Sequence, residues 1–247
     1  MLSVRGLGLR IGGVTIVDDV SFEVRPAEFL IIIGPNGAGK TTLFNLLSGV
    51  AQPTSGAIAL GDRTITHDPP YVRARLGLGR TFQTSSVFAG LSTLENIRLA
   101  ASAALGTSAN PWHRADAERA PLERARAALA DVGLEGRGAV EAALLSHGEK
   151  RKLDLAILLC TDASVMLLDE PTAGMASDDV PEMVALIARI QRDRAKTVLM
   201  VEHRMDLVLT LADRMAVMHH GAMIAIDTPE RIVANETVQS AYLGDPL

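Results

Sequence analysis

The chain has 247 residues, 48% of them apolar, and a formal net charge of −5, enough for one large or two small domains around a sizeable core. Its basic residues are dispersed, with no Lys/Arg block of the kind that tracks a phosphate backbone, which argues against nucleic acid as a partner. No run approaches the roughly 18 apolar residues of a membrane-crossing helix, and the opening MLSVRGLGLRIGG lacks the apolar stretch of a secretory signal, so a cytosolic chain is expected.

The first pattern along the chain is an alternation, with Val20, Phe22 and Val24 set between Ser21, Glu23 and Arg25. Ile58 and Leu60 continue it up to the Gly61-Asp62 turn, which predicts a small antiparallel layer. Phe29–Ile33 is different: a short, continuous apolar run of the kind that forms a strand buried on both faces. It leads into GPNGAGKTT, Gly34–Thr42, after which Leu43, Phe44, Leu46 and Leu47 set a helical spacing that ends at Gly49.

Strand, glycine-rich loop and helix in that order form a P-loop, with Gly34, Pro35, Asn36, Gly37, Ala38, Gly39, Lys40, Thr41 and Thr42 as the expected phosphate cradle for ATP. Gly34, Gly37 and Gly39 let the backbone close around phosphate oxygens, with N–H groups at the positive end of the following helix. Lys40 would reach the β and γ phosphates as a point charge, and the Thr41 hydroxyl would be a ligand of Mg²⁺.

Between about Leu91 and Cys160 the strand signals fade. Pro121 is positioned to open a helix with Leu122, Ala125, Leu129 and Val132 on one face and Gly133 as its stop. Leu105–Arg114 reads as a loop, and Trp112 beside it as a packing or surface group. The single cysteine, Cys160, lies in apolar LDLAILLC and reads as a buried structural thiol.

The next apolar run, Val165–Leu168, ends in Asp169 and Glu170 and is closed by Pro171. Two acids at a strand end call for a cation. In a P-loop NTPase that cation is Mg²⁺ on Asp169, while Glu170 orients or deprotonates the attacking water. Val180, Met183, Val184, Ile187 and Ile190 are spaced for an amphipathic helix, and Val198–Val201 is a third buried-strand run. The alternation of such runs with helical patterns predicts an α/β fold: a RecA-like core with a mainly parallel sheet, the antiparallel layer and a helical subdomain. One domain is expected, with 1–90 and 161–247 forming the nucleotide-binding core and 91–160 the helical subdomain.

The order of these motifs resembles the ATPase subunits of ABC transporters over nearly the whole chain. Gln83 in RTFQ stands where that family has its Q-loop, LSHGE at Leu145–Glu149 is similar to its LSGGQ signature, and His203 in VEHRMD is similar to its switch histidine. LSHGE differs at His147 and Glu149 and keeps Ser146 and Gly148. The resemblance implies a head-to-tail pair of ATPase subunits with two nucleotides at the joint. Ser146, Gly148 and Glu149 would then serve the partner's nucleotide, His203 would bond the γ-phosphate and fix the attacking water, and Gln83 would sense the γ-phosphate and Mg²⁺. His67, His113, His147, His219 and His220 are read as structural or surface groups. Ile11 in LRIGG stands where the family has an aromatic residue stacked on adenine, and TAGMASDD lacks the family's SALD form.

GGVTIVDDVSFEV, GLGRTFQTSSVFAGLSTLENI, DEPTAGM and TPERIVANETVQSAYLG narrow the resemblance to branched-chain amino-acid importers, while LSHGEK leans towards urea importers. That branch implies a second ATPase chain in a heterodimer, with a homodimer as the alternative, two membrane permeases, and a solute-binding protein on the far side. The chain itself would lie peripherally on the cytoplasmic face of the inner membrane. Leucine, urea, a short amide and another small carboxylate remain open as solutes. The competing readings are a soluble ABC ATPase acting on ribosomes or DNA, and an exporter subunit. A P-loop kinase or GTPase would need neither LSHGE nor His203.

Overall fold

The structure is a computed structural model that describes residues 1–81, 87–107 and 116–243. In chain order the elements begin with β1 (Leu2–Ile11), β2 (Val14–Val24), β3 (Phe29–Ile33), α1 (Lys40–Ser48), β4 (Ser55–Leu60), β5 (Arg63–Thr64), α2 (Pro70–Arg75) and β6 (Leu78–Arg80). The helices α3 (Thr93–Ala104), α4 (Asp116–Asp131) and α5 (His147–Cys160) follow. The chain then alternates through β7 (Val165–Asp169), α6 (Val180–Asp193), β8 (Thr197–Val201), α7 (Met205–Leu211) and β9 (Arg214–His219). It closes with β10 (Ala222–Asp227), α8 (Pro229–Val233) and α9 (Glu236–Leu243).

Among the described residues the strands form two sheets, one four-stranded and antiparallel in the order β2-β1-β4-β5, the other six-stranded in the order β10-β9-β3-β8-β7-β6. Every pair in the larger sheet is parallel except β9 with β10 at its edge. β1 and β2 turn at Gly12-Gly13, both at positive φ, which a two-residue hairpin turn requires and glycine supplies without strain. The expected α/β architecture with its antiparallel layer is therefore present.

Strand β3 shows why its run is continuously apolar: all five residues are buried because both faces are covered. Phe29, Ile31 and Ile33, with Met166, Leu168, Val198 and Met200, face a cluster built from α3, α4, α5 and α6. Leu30 and Ile32, with Leu167, Leu199 and Val201, face the opposite cluster, which contains Leu43, Phe44, Leu46 and Leu47 of α1 and the inner face of the antiparallel sheet. A period of two thus sends alternate residues of one strand into two different cores.

Within 91–160, among the described residues, the only β pairing is an isolated bridge between Ser92 and Glu141. Here α4 corrects the sequence reading: it starts at Asp116 and Pro121 lies inside it. The ring costs one ladder bond but fixes a helical φ, so packing carries the helix through it. Ala125, Leu129 and Val132 are buried as expected, whereas Leu122 is half-buried. Gly133, at φ 71, ends the helix, with its own N–H on the Ala130 carbonyl and the Leu134 N–H on that of Leu129. In α6, Leu186 takes the inward place expected of Val184, which is half-buried. Of the expected loop Leu105–Arg114, the turn at Leu105 and Gly106 is seen, and Trp112 lies outside the described residues.

Candidate functional site

Three neighbouring parallel strands, β3, β8 and β7, end at the same edge of the sheet, in register at Ile32 with Val201 and at Asp169 with Val201. Their continuations are Gly34, Glu202-His203 and Glu170, so segments far apart in sequence meet at one edge, where open α/β sheets bind ligands.

The glycine loop is held from behind. A Cβ on Gly34 would lie 2.2 Å from the Met218 carbonyl oxygen, and one on Gly39 2.8 Å from that of Ile16. Gly39 caps α1 at φ 98 and brings no side chain of its own to the helix's first N–H groups. The Gly221 N–H donates to the Ala38 carbonyl at 3.1 Å, tying the loop to the turn between β9 and β10. Lys40, 6% exposed, donates from Nζ to the carbonyls of Gly34 (2.6 Å) and Pro35 (2.8 Å). Burial pulls its pKa down, and the carboxylates of Glu170 and Asp169 pull it back up, which places both acids within electrostatic reach of the loop.

Asp169 is 1% exposed and paired with Arg80, whose Nη2 donates to its Oδ2 at 2.8 Å. The same guanidinium donates from Nη1 to Asn45 Oδ1 (2.8 Å) and Ser48 Oγ (2.9 Å), fastening α1 to the end of β7. Burial pushes the Asp169 carboxyl upward, and the Arg80 hydrogen bond opposes this. Its second oxygen, Oδ1, is buried with no hydrogen-bond partner among the described residues. A buried carboxylate oxygen left open suits a cation as its partner.

Glu170 adopts a left-handed backbone at φ 47, a conformation costing about 1–3 kcal/mol that clusters at functional sites. Its N–H donates to the Val201 carbonyl at 3.1 Å, and its Oε1 lies 2.9 Å from His203 Nε2. Beside His203, Glu202 is 3% exposed, accepts the Thr172 hydroxyl, and has its pKa raised by burial. Arg80, Thr172 and Glu202 did not emerge from the sequence reading. The signal available for Arg80 was a lone cation ending the short run Leu78–Arg80.

At the start of α5, Ser146 and Glu149 form a reciprocal capping box: Ser146 Oγ accepts from the Glu149 N–H (3.2 Å), and Glu149 Oε2 from the Ser146 N–H (2.8 Å). Glu149 Oε1 accepts from Arg137 Nε at 2.7 Å, so both its oxygens are engaged within the chain. The Ser146 backbone N–H, with Arg137, holds its carboxyl below the usual range. His147 Nε2 lies 3.0 Å from the carbonyl oxygen of Ala173, in the turn after Glu170. Ile11 and Val14, paired across the first hairpin, are 59% and 65% exposed. Gln83 lies outside the described residues. Thus Lys40, Asp169, Glu170 and His203 gather at one strand edge, and Ser146 sits one residue from the contact between α5 and that edge's turn.

The ABC transporter family model matches residues 17–173, and the model for branched-chain amino acid ATP-binding cassette transporters matches residues 222–246. The high-affinity branched-chain amino acid transport ATP-binding protein LivG of Escherichia coli is 38% identical over 252 residues, covering 99% of this chain and 98% of that one. The corresponding protein BraF of Pseudomonas aeruginosa is 38% identical with the same coverage. Among solved structures, the ADP conformation of MJ1267, an ATP-binding cassette of an ABC transporter, superposes with a TM-score of 0.84 at 25% identity and 99% coverage of both chains.

Proposed function

Because the chain belongs to the ATP-hydrolysing subunits of ABC transporters, we propose that its turnover drives an importer of branched-chain amino acids or of related small solutes such as urea or amides. The observation that carries the chemistry is the Glu170–His203 pair, 2.9 Å apart at the strand edge beside the glycine loop. The full-length likeness to LivG and BraF supports the importer branch.

In this reading Gly34–Thr42 cradles the triphosphate and Lys40 turns from its loop carbonyls to the β and γ phosphates. Thr41, Asp169 and Gln83 would hold Mg²⁺, for which the open Oδ1 of Asp169 is suited. The bound ion supplies neutralisation of phosphate charge. Glu170 takes a proton from the attacking water as its oxygen bonds to the γ phosphorus, and the bond from that phosphorus to the bridging oxygen breaks. His203 holds Glu170 and the γ-phosphate in line. Ser146 and Gly148 meet the partner subunit's nucleotide. Glu149 contributes chiefly by capping α5, since its two oxygens are already taken. With Ile11 and Val14 in place of an aromatic platform, adenine stacks on aliphatic groups.

Residues 1–90 and 161–247 then act as the nucleotide-binding core and 91–160 as the helical subdomain that meets two permeases. The assembly includes a second ATPase chain and an extracytoplasmic binding protein, with this chain peripheral on the cytoplasmic face. The test is affinity purification of the tagged chain from its native membranes in mild detergent. Two multi-span permeases and a second ATPase are expected. An active ATPase that brings down ribosomes, or no partner at all, would overturn the importer reading.

A further inference from the structure

We infer that His147 is a positioning residue that transmits the placement of the α5 N-terminus to Glu170 of the same chain. The inference rests on the reading that Ser146 and Gly148 engage the partner subunit's nucleotide. It adds a route by which that engagement reaches the hydrolytic pair.

The contact is directional. The Ala173 carbonyl can only accept, so at 3.0 Å the His147 Nε2 carries the hydrogen. The LSGGQ pattern has a glycine at this place, which has no side chain to make the bond; here the imidazole spans from α5 to the turn. That turn is shaped to receive it. Gly174 adopts φ +75, and a Cβ there would lie 3.0 Å from His147 Nε2, so any other residue would crowd the ring. A Cβ on Gly148 would come 3.4 Å from the Met175 methyl, so the start of α5 lies close to the turn at a second position as well.

From Ala173 the path to the reacting groups is short. The Ala173 N–H donates to the Glu170 carbonyl at 3.0 Å, so one amino acid is bonded to His147 through its carbonyl and to Glu170 through its amide. Thr172 is pinned by the buried Glu202, whose neighbour His203 holds Glu170 Oε1. Glu170 itself stands at φ 47, in a narrow well that leaves its backbone little room to yield. A shift of the α5 end that carries Ser146 therefore pulls on Ala173 and re-aims the Glu170 carboxylate relative to His203.

The experiment compares His147→Ala, His147→Gln and Ser146→Ala in the full chain, in the assembly in which it is isolated, by kcat, ATP KM and melting temperature. The Gln amide N–H can replace Nε2–H. His147→Ala is expected to lower kcat about tenfold with KM within about twofold, as a small misplacement of a reacting group does, and His147→Gln to restore most of it. A purely structural role would lower the melting temperature and move both variants alike. The inference is overturned if His147→Ala keeps kcat within about twofold, or if His147→Gln loses as much as His147→Ala. Ser146→Ala separates the two levels. If it abolishes turnover while His147→Ala does not, only this inference falls; if it leaves turnover intact, the underlying reading of the signature falls with it.

Discussion

Arg73 is the largest fully buried side chain among the described residues, and it shows how one residue can hold a site it never touches. Its guanidinium donates to the carbonyls of Leu46 (2.6 Å), Leu47 (2.7 Å), Thr66 (2.7 Å) and Asp68 (2.8 Å). The first two are among the last carbonyls of α1, so a side chain on α2 supplies donors to the end of the helix that the glycine loop begins, beside the left-handed cap at Gly49. Burial lowers the Arg73 pKa, with Asp68 opposing, yet the group stays charged because an arginine titrates far above neutrality. Arg73→Met would remove the guanidinium donors of the Leu47, Thr66 and Asp68 carbonyls and leave that of Leu46 with only the Gly49 N–H, and is expected to cost about 2–4 kcal/mol in urea unfolding, with nucleotide contacts intact. Cys160 shows the opposite case. Burial pushes its thiol up to about 12, which makes it the structural group that its apolar neighbours in sequence imply.

At the scale of elements, the loop from β3 to α1 depends on backbone space. Gly39 stands at φ 98 with the Ile16 carbonyl 2.8 Å from where a Cβ would be. Gly39→Ala is expected to cost about 1–2 kcal/mol of backbone strain and to push the first turn of α1 off the phosphates. Nucleotide affinity should fall by roughly tenfold or more, read by titration with a fluorescent ATP analogue. The clash partner is on β2, more than twenty positions away in sequence, so the motif alone could not reveal it. Pro121 teaches the same lesson in reverse. Its local signal is a helix start, but Ala125, Leu129 and Val132 bury a face large enough to carry the helix back to Asp116.

At the scale of the whole molecule, Glu170 and His203, the pair proposed for hydrolysis, lie on one chain while Ser146 and Gly148 are placed at the start of a helix that caps itself. Glu170→Gln keeps the size of the side chain and an acceptor for His203 but cannot take a proton. Turnover is expected to fall about 100-fold or more with ATP binding retained. ATP-bound pairs of this chain, with itself or with a second ATPase, should accumulate in light scattering. A variant that hydrolyses ATP at near the original rate would remove Glu170 from its role.

What the sequence by itself determined is the set of elements whose signal is local: the buried runs that became β3, β7 and β8, the glycine loop between a strand and a helix, and the acids at the end of β7. These patterns are legible because burial on both faces demands unbroken apolar runs, and a phosphate cradle demands glycines at set spacing. The family resemblance in Ser146, Gly148 and His203 came from motif order along the chain. Only the tertiary structure decided that Arg80 would pair with Asp169, that Thr172 would be pinned by Glu202, and that His147 would reach Ala173. Each of those contacts joins residues from different elements, so their energies depend on how the sheet orders its strands and where α5 docks. No local pattern of hydrophobicity or spacing carries that information.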